Sequence, residues 1–118
     1  MTLAVLGLAA CDTCRKAQAW LNERGIDHEV RDVRVDGLDR DTVAAIVAAV
    51  GPERAVNRRS TTWRGLPEAE REGLDAERAV ALILQHPTLL KRPVFMLDPP
   101  VVGFDRKVRD TLDASAKE

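Results

Sequence analysis

Two cysteines, Cys11 and Cys14, are separated by two residues near the start of the chain, and the chain contains no others. They follow a short apolar run, Leu3 to Leu8, and lie where an amphipathic helix is predicted to begin. The first turn of a helix has unpaired N–H groups and the positive end of the helix dipole, which together favour a negative charge. The pattern therefore predicts a reactive thiol at Cys11, with a pKa lowered from about 8.5 into the range of roughly 3.5 to 7.5.

Two other roles compete with a reactive one for this pair. Cysteine is a frequently buried residue, so both side chains could be inert parts of the core. Cys11, however, falls at the predicted cap of the helix and not on its apolar stripe. A structural zinc site needs four ligands, and besides the cysteines the chain offers only His28 and His86, in unrelated contexts, so we expect no metal. These observations favour chemistry at Cys11 and leave open whether Cys14 takes part.

The composition limits the class of protein. The chain has 118 residues, which is the size of one domain. Its 18 basic and 19 acidic residues give a net charge of -1, without the basic excess of a protein that binds nucleic acid directly. It has no apolar run long enough for a membrane span and no recognisable secretion signal, which predicts the cytoplasm. In that compartment a Cys-x-x-Cys pair is typical of redox chemistry and not of a permanent disulfide.

The elements that must position Cys11 form a strand–helix–strand unit. Its predicted members are a buried strand, a helix and a second strand: Leu3–Gly7, Asp12–Arg24 and Ile26–Val35. In the second strand, Val33 and Val35 alternate with charged residues, as in a strand covered on one face. Such a unit is parallel and right-handed, and it puts Cys11 at the carboxyl end of the first strand, where open α/β sheets bind ligands.

Helices are predicted next, and two further strands after them. Helical periodicity marks segment 39–50, with Asp39 as its cap, and segment 75–85, which Pro87 ends. Segment 57–66 reads as a loop or a short helical turn. Val94–Leu97 and Val101–Val102 read as an antiparallel hairpin, and Asp105 as the cap of a final helix. The chain, residues 1–118, is thus predicted to be a single α/β domain with a thioredoxin-like plan. A βαβ unit, a helical insertion over about 37–90 and a ββα unit surround a mixed four-stranded sheet.

Several longer motifs resemble those of a known family. They are CDTCRKAQAWL, RVDGLD, NRRSTTWRGL, LQHPTLLKRPV and VVGF, and they extend from about Leu3 to Leu112. In this order and at this spacing they resemble the ArsC-type arsenate reductase family, and RVDGL and TTWR are most similar to its YffB branch. Another branch, the Spx-type transcription regulators, is similar in the Cys-x-x-Cys followed by Arg-Lys-Ala and in the HP-x-LL-x-RP stretch.

The resemblance implies roles for five residues. Cys11 matches the nucleophile of the family. Cys14 stands where ArsC enzymes have a serine and where Spx-type proteins and dithiol oxidoreductases have a cysteine, which permits a disulfide between the two. Arg15, Arg59 and Arg92 match arginines that lie beside the anionic substrate or hold it, as guanidinium groups do through charge-assisted hydrogen bonds.

Further positions follow from the same resemblance. Pro93 matches a proline that is typically cis in thioredoxin-like folds. Gly7 stands where ArsC enzymes have a histidine, so activation of the nucleophile would depend on the helix end and on Arg15. A third arginine of the ArsC anion site falls near Phe104, with Arg106 as a neighbour, and whether arsenate is the substrate stays open.

The resemblance therefore implies a thiol-dependent reductase with an arginine-lined anion site and a Cys11–Cys14 disulfide intermediate. It would hold no bound cofactor, would use glutathione or another thiol as co-substrate, and would take electrons from glutaredoxin or thioredoxin. We expect a monomer without membrane or direct nucleic-acid contact. The alternative implied by the second branch is an Spx-like redox-sensing regulator that binds the RNA polymerase α subunit. An interaction domain with idle chemistry is a third reading.

Overall fold

A mixed four-stranded sheet forms the centre of the computed structural model, which describes residues 2–8 and 11–116. Strands β1 to β4 are, in chain order, Leu3–Gly7, His28–Asp32, Val94–Phe95 and Val101–Val102. They lie in the order β2-β1-β3-β4, with β1 and β2 parallel and the other two pairs antiparallel. The predicted mixed sheet and thioredoxin-like fold are confirmed.

Helices connect the strands and cover them. Helices α1 to α7 are Asp12–Glu23, Arg40–Val50, Pro52–Ala55, Thr61–Arg64, Glu68–Arg71, Ala76–Gln85 and Arg106–Ala116, and a 3-10 helix, Pro87–Leu89, follows α6. The two predicted caps are confirmed, because Asp39 and Asp105 each accept a backbone N–H of the first turn of their helix. Asp75 caps α6 in the same way. No helix in the described part of the chain is long and apolar enough to cross a membrane.

The two faces of the sheet are covered by different helices. Helices α1 and α7 pack on the face towards which Phe95 points, and α2 and α6 pack on the face towards which Val94 points. Leu21 of α1 and Ile46 of α2 are fully buried in these two layers. Since α1 is fixed to the sheet along its apolar stripe, its first turn has a defined position at the end of β1.

The second strand is shorter than the sequence pattern predicts. It ends at Asp32, and residues 33–36 form a turn in which the Asp36 carboxylate accepts the Asp32 N–H at 3.1 Å. The predicted alternation on one face is therefore wrong: Val33 is 1% exposed, whereas Val35 is 81% exposed. The physical reason is that a short aspartate side chain bonds the nearby backbone and competes with the strand ladder.

One other segment differs from the sequence expectation, and segment 57–66 agrees with it. The third strand comprises only Val94–Phe95, because the Leu97 N–H bonds back to the Phe95 carbonyl at 2.8 Å instead of to a neighbouring strand. Within segment 57–66, residues 61–64 form the short helix α4, capped by the Ser60 hydroxyl. The short helix agrees with the predicted loop or helical turn, and the shorter third strand does not move the elements that carry the cysteines.

The two valines after β2 provide a matched test of this packing. Val33→Ala should lower the free energy of unfolding by about 2 kcal/mol, because it removes buried methyl groups and leaves a cavity. Val35→Ala removes the same atoms from an exposed position and should change that free energy by less than about 0.5 kcal/mol. Urea unfolding of both variants measures the difference, and equal effects would contradict the observed end of β2.

Candidate active site

Cys11 is the N-cap residue of α1. Its backbone is extended, with φ -88° and ψ 116°, and its sulfur accepts the N–H of Cys14 at 3.4 Å. The Cys11 N–H in turn donates to the Leu8 carbonyl at 3.1 Å, which fixes the approach to the helix. A sulfur in this position takes the place of the oxygen of an ordinary capping residue. The Cys11 residue is partly exposed to solvent.

Cys14 lies one turn into the same helix and faces the interior. Its side chain is buried, with a relative exposure of 2%, and shares the buried face of α1 with Ala17 and Leu21. The two cysteines are both free thiols in the structure. One sulfur is therefore accessible to solvent and the other is held beneath it.

The two thiols have opposite pKa shifts. Burial acts to raise the pKa of Cys11, but hydrogen bonds from the Cys14 thiol and N–H, together with the bond and the charge of Arg92, outweigh it and lower the pKa below its ordinary value. Burial and the neighbouring Cys11 raise the pKa of Cys14 to about 11. As the pH rises, Cys11 is therefore the first of the two thiols to ionise, while Cys14 stays protonated.

Arg92 is the cation that acts on both cysteines. Its Nη1 atom donates to the Thr88 carbonyl at 2.8 Å, and its Nε atom is buried with no hydrogen-bond partner among the described residues. The Arg92–Pro93 peptide bond is cis, which confirms the prediction for Pro93. The Thr88 hydroxyl bonds that of Thr62 in α4 at 3.1 Å, so the segment that carries Arg92 is held from outside the sheet.

Arg59 lies in a different place from Arg92. It lines a cavity of about 420 Å³ that Cys11 does not line. The lining consists of cations, carboxylates and a less polar remainder: Arg54, Arg58, Arg59 and Lys91; Glu53 and Asp105; Val56, Asn57, Val102, Gly103 and Phe104. In the described part of the chain, none of these cations is in an ion pair. The cavity therefore favours an anion.

The segments that carry Arg59 and Arg92 are joined through their backbones. The Asn57 N–H donates to the Leu89 carbonyl at 2.7 Å, and the Lys91 N–H donates to the Ala55 carbonyl at 2.8 Å. Lys91 precedes Arg92 and lines the cavity of Arg59. The cavity and the thiol are thus built on neighbouring segments, although the two arginines have separate surroundings.

The structure brings together only some of the residues that the sequence selects. Cys11, Cys14 and Arg92 form one group. Arg15 is exposed and pairs with the Asp12 carboxylate one turn earlier, and Arg59 lines the cavity. The anion-binding roles of the three arginines stay predictions. Of the described residues, no three among His, Cys, Asp and Glu stand close enough together to hold a metal ion.

Three contributors to the site have no signal in the sequence. Thr62 and Thr88 belong to motifs noted above, but nothing in the sequence indicates that their hydroxyls meet. Lys91 precedes Arg92 in one such motif, and only the structure places it in the wall of the cavity. Such contacts join segments that are distant in sequence, so periodicity and local spacing do not predict them.

Comparison with known proteins gives a consistent result. A model of the ArsC family matches residues 6–110. An uncharacterised protein of Haemophilus influenzae is 40% identical over 106 residues, which are 89% of this chain and 93% of that protein. A protein of Bacillus anthracis named global transcriptional regulator Spx 2 is 30% identical over 113 residues, 92% of this chain and 86% of that protein.

Solved structures agree with these matches. A structure titled YffB protein has a TM-score of 0.87 and 34% identity, and the match covers 93% of this chain and 97% of that one. A solution structure of an arsenate reductase (ArsC) related protein from Brucella melitensis has a TM-score of 0.75 and 38% identity, with 94% and 93% covered. The YffB likeness agrees with the branch that the sequence motifs indicate.

The effect of Arg92 on Cys11 can be measured by alkylation. The rate of Cys11 alkylation by iodoacetamide should rise with pH around a midpoint below the ordinary pKa of a cysteine thiol, because only the thiolate reacts. Arg92→Gln removes a charge and a hydrogen bond that favour the thiolate, so the midpoint should move to higher pH. Tandem mass spectrometry separates Cys11 from Cys14, which should react only near its pKa of about 11.

Arg59→Gln is the matched control for that experiment. It removes the same charge from a side chain that lines the cavity and should leave the Cys11 midpoint in place. An unchanged midpoint in Arg92→Gln, or equal shifts in both variants, would contradict the specific contact between Arg92 and the thiol.

Proposed function

The chain belongs to the ArsC family, and we propose that within it this protein is a thiol-dependent reductase whose nucleophile is Cys11. The observation that carries the proposal is the position of Cys11. Cys11 is partly exposed, and its sulfur caps a helix beside the Arg92 guanidinium. The thiol of Cys14 is hydrogen-bonded to this sulfur. These neighbours favour the thiolate form of Cys11, which is the nucleophilic form of a cysteine.

The proposed reaction has two steps, and in each of them a thiolate is the nucleophile. The Cys11 thiolate attacks the sulfur of a disulfide substrate, or As(V) in an oxyanion, and forms a bond to it as the leaving group departs. Cys14 then loses its proton and attacks the Cys11 sulfur, which forms a Cys11–Cys14 disulfide and releases the reduced product. Two electrons pass from the two thiols to the substrate. Glutathione, glutaredoxin or thioredoxin returns them by thiol–disulfide exchange.

The arginines are assigned to recognition of the substrate's negative charge. Arg92 adjoins the reacting sulfur, and Arg59 contributes to the cavity with the unpaired cations. Guanidinium groups bind carboxylate and oxyanion oxygens through paired hydrogen bonds, which suits both positions. Arg15 is the least supported of the three, since its guanidinium is paired with Asp12.

No bound cofactor is required for this proposal, because the electrons come from thiols. The proposed enzyme works as a monomer in the cytoplasm, where reduced thiols are available. Arsenate is one substrate to be tested, beside mixed disulfides of small thiols. The position of Phe104 in the cavity wall, near where ArsC enzymes carry a third arginine, favours a disulfide over a free tetrahedral oxyanion.

The second candidate function is that of an Spx-like redox-sensing regulator. The 30% identity to a protein named as a global transcriptional regulator supports it, as does the Cys-x-x-Cys pair. In that role the Cys11–Cys14 disulfide would be a switch, and the RNA polymerase α subunit would be the partner. The TTWR and RVDGLD motifs, which resemble the YffB branch, favour the reductase.

Substitution of each cysteine separates the steps of the proposed reaction. Cys11→Ser should abolish reduction of a small disulfide such as hydroxyethyl disulfide in the presence of glutathione, because an alcohol at neutral pH is not ionised. Cys14→Ser, mixed with the disulfide in the absence of glutathione, should retain the first attack and accumulate the mixed disulfide, because it lacks the second thiol. Coupled NADPH oxidation measures turnover, and intact mass spectrometry detects the adduct.

Two outcomes decide between the candidates. Full reductase activity in Cys11→Ser with both disulfides and arsenate would contradict the assignment of the nucleophile. Retention of the purified polymerase α subunit on the oxidised protein, together with no turnover in the wild type, would favour the regulator. The variant Cys11→Ser is the control for the binding assay, since it cannot form the disulfide.

A further inference from the structure

Gly7 is the last residue of β1, and its backbone does not require a glycine. Its φ lies outside the left-handed region, in contrast to the five glycines of positive φ in the described part of the chain. Its carbonyl accepts the Val33 N–H at 3.0 Å, an ordinary bond at the end of a parallel strand. Any residue could adopt this conformation, so the reason for a glycine here is space.

The space beside Gly7 is filled by Cys14. A Cβ atom at position 7 would lie 2.9 Å from the Cys14 sulfur and 3.4 Å from its Cβ atom. The first distance is well inside the optimum of about 3.5 to 4.0 Å for non-bonded atoms. The Cys14 side chain is buried between the strand and the helix, so it cannot move away freely. A methyl group at position 7 must displace the sulfur.

We propose that Gly7 is a positioning residue for the second step of the reaction. Because it has no side chain, the Cys14 sulfur can occupy the space beside it, from which that sulfur contacts Cys11. This inference rests on the proposed reductase function. In that step the Cys14 thiol gives its proton to solvent, its sulfur bonds the Cys11 sulfur, and the bond between Cys11 and the substrate sulfur breaks. The released substrate thiolate carries away the electron pair, so the substrate disulfide is the oxidant.

The same contact links Gly7 to the first step. The Cys14 thiol is among the donors that lower the pKa of Cys11. If the sulfur is displaced, this hydrogen bond is lost and Cys11 titrates at higher pH. A role limited to packing would lower the stability of the protein but would not change both the titration of Cys11 and the closure of the disulfide.

Ellman's reagent, 5,5′-dithiobis(2-nitrobenzoate), measures both steps in one reaction. Attack by Cys11 releases one thionitrobenzoate, and attack by Cys14 on the resulting mixed disulfide releases a second. Gly7→Ala should retain the first release at pH 8 and slow the second about tenfold or more, because a misplacement of about 1 Å can cost roughly 100-fold in rate. The alkylation midpoint of Cys11 should also rise.

Gly65→Ala is the matched control. Gly65 is the only other glycine among the described residues with negative φ, and a Cβ there would lie 3.4 Å from its nearest atom, the Thr61 carbonyl oxygen. It belongs to neither β1 nor α1, so both releases and the Cys11 midpoint should match those of the wild type. A second release in Gly7→Ala as fast as in the control would overturn the inference and leave the proposed function intact.

Failure of the proposed function gives a different result. The wild type would then show no first release at Cys11, or no second release at all. If Gly7→Ala does not fold, the inference is tested in Gly7→Ala/Cys14→Ala, in which the clashing sulfur is absent. Its urea midpoint should match that of Cys14→Ala. If Cys14→Ala folds but the double variant does not, or unfolds at a clearly lower urea concentration, the cost arises elsewhere and the inference is overturned.

Discussion

The hydrogen bond from the Cys14 N–H to the Cys11 sulfur is the interaction on which the site depends. A helix must satisfy the N–H groups of its first turn, and here a sulfur does what a serine or aspartate oxygen does at the other capped helices. The hydrogen bond caps the helix and so favours folding. It also favours the thiolate form of Cys11, because the positive end of the helix dipole stabilises a negative charge on the acceptor. It also fixes the spacing, since the donor belongs to the second cysteine. Helix initiation, thiolate formation and the pairing of two thiols thus share one contact.

Arg92, the cation beside the thiol, is held in place by residues that are distant in sequence from the two cysteines. Arg92 follows a 3-10 helix whose Thr88 carbonyl holds its guanidinium, and the Thr88 hydroxyl is held by Thr62 in α4. Backbone bonds join the same segment to residues 55–57, next to the loop of Arg59. The helices between β2 and β3 therefore do more than cover the sheet. They connect the wall of the cationic cavity with the side chain that acts on the thiol.

The sequence could predict what depends on local patterns. The strand–helix boundary at Cys11, the buried stripe of α1 and the aspartate caps all follow from residue type and spacing over one or two turns. The end of β2 was misjudged because Asp36 bonds the backbone of Asp32, a competition that alternation of valines does not reveal. Motif resemblance selected five site residues, but it could not show that Arg15 turns to Asp12 or that Arg59 and Arg92 have separate surroundings. Those facts depend on side-chain directions that are set by distant segments.

For the proposed reductase reaction, the causes of the two pKa shifts also predict the order of its steps. The Cys11 sulfur is one of the groups that raise the pKa of Cys14, through its hydrogen bond and its charge, whereas Arg92 acts to lower it. Once Cys11 has formed a bond to the substrate sulfur, its negative charge is gone and so is that opposition. Burial still raises the pKa of Cys14. The positive charge of Arg92, which lowers that pKa, is then no longer offset by a negative charge on Cys11. The second thiol thus becomes easier to ionise only after the first step is complete, and the buried sulfur is kept from competing with Cys11 for the substrate.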